Sequence, residues 1–217
     1  MTELIVKGVL GYLLGSIVGS LLVGRLRGGV DIRRLGSGNA GATNALRTQS
    51  KLFAFWVLLI DIGKGWVATG LLAKARIPGI APAPAEWGVW AVAVCGIAVM
   101  AGHIYPLWHG FRGGKGVATV GGAVLGAAPV LFIPMLVIWL LAVIVFGFVG
   151  LASILGALTF VVAAGADASP RMPMLTFAAV SALLIVFTHR TNIARMLAGT
   201  EPRARRLWLL GAARSRS

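Results

Sequence analysis

Apolar residues in this chain run in long blocks instead of alternating with polar ones. Three blocks, at about 4–24, 52–73 and 87–107, each predict an α-helix reaching roughly 30 Å at 1.5 Å per residue, the thickness of a bilayer's hydrocarbon core. A fourth block covers about 173–188. Pro78, Pro82 and Pro84 mark 74–86 as a loop, and a mixed polar stretch, 25–51, separates the first two blocks.

The charges orient these spans. Arg25, Arg27, Arg33, Arg34, Arg47 and Lys51 stand against a single acid, Asp31, in the first connection. Basic connections stay cytoplasmic, which predicts the N-terminus outside. The third span then returns to the cytoplasm at 109–115, in agreement with Arg112 and Lys115. Arg190, Arg195, Arg203, Arg205, Arg206, Arg214 and Arg216 against Glu201 make the C-terminal tail cytoplasmic as well, so the last span enters from an outer loop around Asp167 and Pro170. Residues 117–165 must therefore cross an odd number of times, and 49 residues are too many for one straight span. Three short helices, broken near Pro129–Pro134 and Gly147–Gly150, predict an all-α polytopic membrane bundle of about seven transmembrane helices. The alternative, one long span plus a half-inserted excursion, gives five.

Small residues recur every four positions at Gly11, Gly15 and Gly19, and again at Ser16, Ser20 and Gly24. Both stripes suit close helix–helix contact.

Composition supports the membrane assignment. The chain is 58% hydrophobic and 12% charged, with mean hydropathy +0.90, whereas a soluble domain carries roughly a quarter charged residues. The net charge of +14 follows from arginines piled at membrane boundaries and favoured by anionic lipid heads, so no nucleic-acid partner is expected. Cys95 is the single cysteine, which excludes an intrachain disulfide and a cysteine-built metal cluster. The first apolar block lacks a basic leader and an Ala-x-Ala site and is expected to be retained as a helix. The whole of 1–217 reads as one integral membrane domain.

Three polar segments on the predicted cytoplasmic side are too particular to be plain connectors. The first holds Gly36, Ser37, Gly38, Asn39, Gly41, Thr43, Asn44 and Arg47. Its G-x-G-x-x-G pattern, with Asp61 further on, is a decoy, because a dinucleotide fingerprint needs a preceding strand and here membrane helices flank it. Exposed N–H groups in a glycine-rich turn, beside hydroxyls, amides and Arg47, nevertheless suit phosphate and hydroxyl groups. The plain alternative is an ordinary hydrophilic loop.

The second segment, His109 to Thr119, contains Arg112, Gly113, Gly114, Lys115 and Gly116. It fails as a nucleotide P-loop, since its leading glycine is His109 and Gly116 replaces the Ser/Thr that holds magnesium. A glycine-rich turn with a lysine beside a helix start still favours an anion. The alternative is an interfacial turn with snorkelling bases.

In the third, His189 and Asn192 lie three apart and share a face if the last helix continues. A histidine at the membrane edge can take a proton near neutral pH, or it can be merely interfacial. Asp61 and Lys64, also three apart, sit inside the second span, where charge is costly. They are expected to pair structurally, with steering of a site group as the alternative.

At these residues the chain resembles the bacterial acyl-phosphate:glycerol-3-phosphate acyltransferases, the PlsY family. The resemblance rests on three motifs in order, 36–47, 113–119 and 188–201, together with Asp61-x-x-Lys64-Gly65, and extends over nearly the whole chain. It implies a seven-helix enzyme of the bacterial cytoplasmic membrane with its active site facing the cytoplasm. Such an enzyme moves a fatty acyl group from acyl phosphate to the sn-1 hydroxyl of glycerol 3-phosphate, giving lysophosphatidic acid and inorganic phosphate, the first step of phospholipid synthesis. The expected catalytic residues are Ser37, Lys115, His189 and Asn192. Gly38, Asn39, Thr43, Asn44, Arg47, Arg112, Gly113, Gly114, Gly116 and Thr119 are expected at the substrate phosphates, with Asp61, Lys64 and Glu201 structural or steering. The resemblance implies no metal, no cofactor and no obligate protein partner, only the two substrates and membrane lipids.

The residues fit that chemistry. Acyl phosphate is a mixed anhydride, already activated, so direct attack by the glycerol hydroxyl suffices, with the proton passing to His189 or to a substrate phosphate. A transporter or flippase for a small phosphorylated or lipid substrate is the second reading. Against it, no internal repeat is visible and the polar residues gather on one side instead of at midplane.

Overall fold

The computed structural model describes residues 1–167, 171–204 and 208. The expected outer loop at Pro170, and Arg205, Arg206, Arg214 and Arg216 of the tail, lie outside them. The regular elements among the described residues are all helical, joined by loops: α1 (Thr2–Gly15), α2 (Gly19–Leu26), α3 (Ala42–Thr48), α4 (Lys51–Trp66), α5 (Ala85–Gly88), α6 (Ala91–Ile104), α7 (Val117–Ala127), α8 (Pro129–Phe146), α9 (Val149–Asp167), α10 (Arg171–Thr188) and α11 (Arg190–Leu197). They form two compact units, Met1–Ala128 and Pro129–Ser217.

Among the described residues, four helices are long and apolar enough to cross a membrane: Lys51–Leu72, Ala85–His109, Pro129–Phe146 and Val149–Ala166. Two bent pairs, α1 with α2 and α10 with α11, bring the number to six when each is counted as one span. Helix α7 is apolar but only 11 residues long. Leucines and valines that a soluble protein would bury, such as Val130, Val162 and Leu183, stand more than two-thirds exposed, as side chains facing lipid do.

In the first unit, the expected single helix over 4–24 is two helices meeting at 45°. Val18 is extended at the break, with φ −84° and ψ 117°. A break inside a span leaves backbone groups that lipid cannot satisfy, and α4 supplies their partners. Lys64 Nζ donates to the carbonyls of Gly15 (3.0 Å) and Ile17 (2.8 Å), and the Gly19 N–H donates to Asp61 Oδ1 at 3.1 Å.

Both small-residue stripes are consumed within this unit. Gly15 lies so close to the Val99 carbonyl of α6 that a Cβ has no room, and Gly102 of α6 lies equally close to the Tyr12 carbonyl. Gly19 packs on the Val57 carbonyl of α4. Ser20 donates to the Ala40 carbonyl at 2.7 Å, and Gly24 abuts Val30. Helices α4 and α7 meet in the same manner, Gly65 against the Thr119 carbonyl and Gly122 against Ile62. Helix α4 starts on Ser50, whose Oγ accepts from the Phe53 N–H at 3.1 Å. It continues as π-helical turns through Val67–Leu72.

The stretch 117–165, expected to hold three short spans, holds three helices, α7, α8 and α9, of which α8 and α9 are long enough to cross a membrane. The first break falls at Ala128, one residue before Pro129, because proline disfavours helical backbone in the residue ahead of it. Pro134 does not break α8. The second is made by Gly147, at φ +77°. In the second unit α8 packs on α9 through Trp139, Ala142, Val143 and Ala152. Phe160 of α9 meets Phe177 of α10 edge to face at 5.3 Å between ring centres.

Candidate active site

In the first unit, a short turn at Ile32–Arg34 plugs Ile32, fully buried, between Val23, Ala45, Phe53 and Val57. The chain then coils over Asn44. This side chain is 1% exposed, and Nδ2 donates to the carbonyls of Ile32 (2.9 Å), Leu35 (3.0 Å) and Asn39 (2.9 Å). Its Oδ1 accepts from the Ser37 N–H at 3.0 Å. Gly36, at φ +56°, sits so near Asn44 Oδ1 that no side chain fits there, and Gly38 turns the loop again at φ +72°. Asn39 is half-buried, its amide against Gly41. Ser37, Thr43 and Arg47 face outward and are exposed, the latter two one turn apart on α3. The first motif is thus a rigid loop built around an inward Asn44, with its hydroxyl and cationic groups on the outside.

The glycine-rich segment closes back on the end of α6. The Gly113 N–H donates to the Ile104 carbonyl (3.0 Å) and the Gly114 N–H to the His103 carbonyl (3.1 Å), two of the carbonyls that a helix end leaves open. Gly110 and Phe111 take left-handed backbone, φ +64° and +57°. Gly113 lies against the His103 carbonyl and Gly114 against the imidazole Nε2, both too close for a Cβ. Gly116, at φ +85°, would bring a Cβ within 2.9 Å of Met100. Two glycines are therefore required by space and the third by its left-handed backbone, and half-buried Lys115 is set among them just before α7. Arg112 is exposed. Thr119, by contrast, is fully buried on the face of α7 that meets Gly65, and its hydroxyl has no hydrogen-bond partner among the described residues.

Beneath the turn lies a buried knot of charge. Lys64 Nζ is 3.0 Å from Asp61 Oδ1 and 2.8 Å from His103 Nδ1, and His103 Nδ1 is 3.3 Å from the same carboxylate oxygen. All three residues are at most 5% exposed. The Asp61–Lys64 pair was expected. His103 was not, although an ionisable side chain inside an apolar run is the signal that would have found it.

Arg33, which the sequence marks only as a loop charge, joins the segment ahead of the first motif to the one ahead of the glycine-rich turn. Its Nε and Nη2 donate to the Asp31 carboxylate (3.0 and 2.8 Å), and Nη1 donates to the carbonyls of His109 (3.0 Å) and Arg112 (2.8 Å). Hydrogen bonds from Arg33 hold the Asp31 carboxyl below the ordinary carboxylate range, and Asp31 in turn raises Arg33.

In the second unit the last helix does not continue through the third motif. It bends by 54° where α10 gives way to α11, at buried His189. His189 Nδ1 lies 2.8 Å from the Ile185 carbonyl. A carbonyl only accepts, so Nδ1 carries the proton and the neutral ring has its lone pair on Nε2. Asn192 packs on Gly150 of α9 and donates to Glu201 Oε1 at 2.6 Å. The other oxygen of Glu201 accepts from Arg195 Nε at 2.7 Å. Arg203 stacks on the rings of Phe148 and Trp208.

Residues 5–199 match the family described as Glycerol-3-phosphate acyltransferase. The chain is 42% identical over 200 residues to the glycerol-3-phosphate acyltransferase of Bordetella pertussis, covering 90% of this chain and 89% of the relative. It is 40% identical over 202 residues to that of Agrobacterium fabrum, covering 92% and 91%. Among solved structures it is similar to the integral membrane glycerol 3-phosphate acyltransferase PlsY (YgiH). Its glycerol 3-phosphate form aligns with a TM-score of 0.79 and its lysophosphatidic acid form with 0.77, each 34% identical and covering 92% of this chain and 94% of the other. Motifs, helical membrane architecture and full-length similarity agree, and the chain belongs to the glycerol-3-phosphate acyltransferase family.

Proposed function

We propose that this chain works as a multi-pass enzyme of the bacterial inner membrane, moving a fatty acyl group from acyl phosphate to the sn-1 hydroxyl of glycerol 3-phosphate. The products are lysophosphatidic acid and inorganic phosphate. Family membership, and likeness to a relative solved in glycerol 3-phosphate and lysophosphatidic acid forms, support substrate and product. The observation that carries the mechanism is the turn over 113–116, where obligatory glycines put bare backbone and Lys115 together at the start of α7. Such a turn stabilises a departing phosphate.

The hydroxyl oxygen of glycerol 3-phosphate attacks the acyl carbonyl carbon. The carbon–oxygen bond to phosphate breaks, and the electron pair leaves with the phosphate. Lys115 and the backbone N–H groups at the start of α7 receive that charge. Ser37, Thr43 and Arg47, on the outer face of the rigid first loop, hold substrate hydroxyl and phosphate groups, and Arg112 adds positive charge. His189 and Asn192 orient the attacking hydroxyl, whose proton goes to His189 Nε2 or to a substrate phosphate. Asn44, Thr119, Asp61, Lys64 and Glu201 build the loops and helices that present these groups. The basic residues of 25–51 and of the C-terminal segment support seven spans, with the N-terminus outside and the active site toward the cytoplasm. In that count α7 is a span of its own.

The test is phosphate release and lysophosphatidate formation by purified protein in detergent, given palmitoyl phosphate and glycerol 3-phosphate, with Lys115→Ala in parallel. Equimolar products that collapse in the variant are expected. A folded wild type inert with acyl phosphate, acyl-CoA and acyl carrier protein donors would overturn the reading in favour of a transporter.

A further inference from the structure

We infer that Arg33 is a positioning residue that holds the glycine-rich turn in its phosphate-binding shape by chelating the carbonyl oxygens of His109 and Arg112. Those carbonyls flank Gly110 and Phe111, the pair in left-handed backbone. Glycine tolerates that conformation, whereas phenylalanine is strained in it, and the Phe111 ring is more than half exposed, so its own packing does not impose the conformation. One nitrogen, Nη1, accounts for both carbonyls, at 3.0 and 2.8 Å. The remaining donors, Nε and Nη2, are locked on Asp31 in a fork-to-fork pair. Asp31 is itself fixed, because its carboxylate also accepts the Arg33 backbone N–H at 3.0 Å. The clamp thus runs from the turn at Ile32–Arg34, anchored by buried Ile32, to the segment that leads into Gly113–Lys115.

Charge alone does not do this. A planar guanidinium spans a carboxylate and two carbonyls at once, whereas an ammonium is a single point. The role therefore predicts that lysine fails to rescue. The inference rests on the acyl-transfer reading for its kinetic test, and amide exchange supplies a test independent of that reading.

The experiment compares wild type, Arg33→Ala, Arg33→Lys and Asp31→Asn in detergent, by hydrogen exchange of residues 109–116 without substrate and by steady-state kinetics. Faster exchange of the turn is expected in both Arg33 variants. The KM of one phosphorylated substrate should rise about tenfold or more with kcat within about threefold, the pattern of lost binding geometry, and Asp31→Asn should fall between wild type and Arg33→Lys. Wild-type KM in Arg33→Lys, or an unchanged KM alongside faster exchange, overturns the inference, as does unchanged exchange. If Arg33→Ala does not fold, Arg33→Lys and Asp31→Asn decide. An inert wild type defeats the acyl-transfer reading, and the exchange data then judge the clamp alone.

Discussion

Gly114 rests directly on the imidazole of His103, with its α-carbon so close to Nε2 that the smallest side chain collides with the ring. The ring cannot swing aside, because Nδ1 is held by Lys64 and Asp61. Gly114→Ala should therefore displace the turn and raise KM for a phosphorylated substrate by about tenfold or more, a displacement of the order of 1 Å being costly at a reacting site. In a His103→Ala background, which removes the obstructing ring, the same substitution should cost much less. A double-mutant cycle on kcat/KM measures the coupling, and independent effects of the two changes would disprove steric contact as the cause.

Lys64 carries an unusual share of the first unit's order. It neutralises Asp61 and satisfies two carbonyls at the α1–α2 break. Lys64→Met takes the ammonium from a buried carboxylate and leaves it only the Gly19 N–H and the His103 ring, and breaking comparable pairs costs roughly 3–5 kcal/mol. A large drop in the thermal midpoint in detergent is expected, with partial recovery in the Asp61→Asn/Lys64→Met double variant. Equal stability of wild type and single variant would show that the pair does not hold the break.

The spans were legible because lipid demands long apolar runs. The division of 117–165 was legible because Pro129 and Gly147 punctuate it. The break at Val18 was not, since its backbone is satisfied by distant groups, and neither was the bend at His189, whose own ring closes it on the Ile185 carbonyl. Nothing local to Ser16 announces Lys64, 48 positions away in sequence. The candidate site divides in the same way. Motif spacing picked out Ser37, Asn44 and Arg47 together, but only the fold separates the outward Ser37 from the inward Asn44. Arg33 reads in the sequence only as a loop charge, because the partners it reaches across the fold are backbone carbonyls, which every residue has.

Glu201 fixes the amide of Asn192 by accepting from Nδ2 at 2.6 Å, while Arg195 holds its second oxygen. Hydrogen bonds to charged groups contribute about 1.5–3 kcal/mol, so Glu201→Ala should reduce kcat/KM by roughly 10- to 100-fold through a wandering Asn192. Glu201→Gln keeps an acceptor for Asn192 and should retain most activity while weakening the hold of Arg195. If Gln and Ala behave alike, the charge pair with Arg195 matters and the tether on Asn192 does not.

His189 donates from Nδ1 to the Ile185 carbonyl, which leaves the lone pair of the neutral ring on Nε2, the state a base requires. His189→Gln should lower kcat/KM by at least about 100-fold, within the range for loss of a general base. The pH profile then separates two roles. When the imidazole accepts the proton, wild-type activity falls on the acid side, and the residual activity of the variant loses that limb. When a substrate phosphate, with its second pKa near 6, accepts it instead, the limb persists in the variant and His189 acts by orienting the hydroxyl. A loss of less than about tenfold would remove His189 from the proton's path altogether.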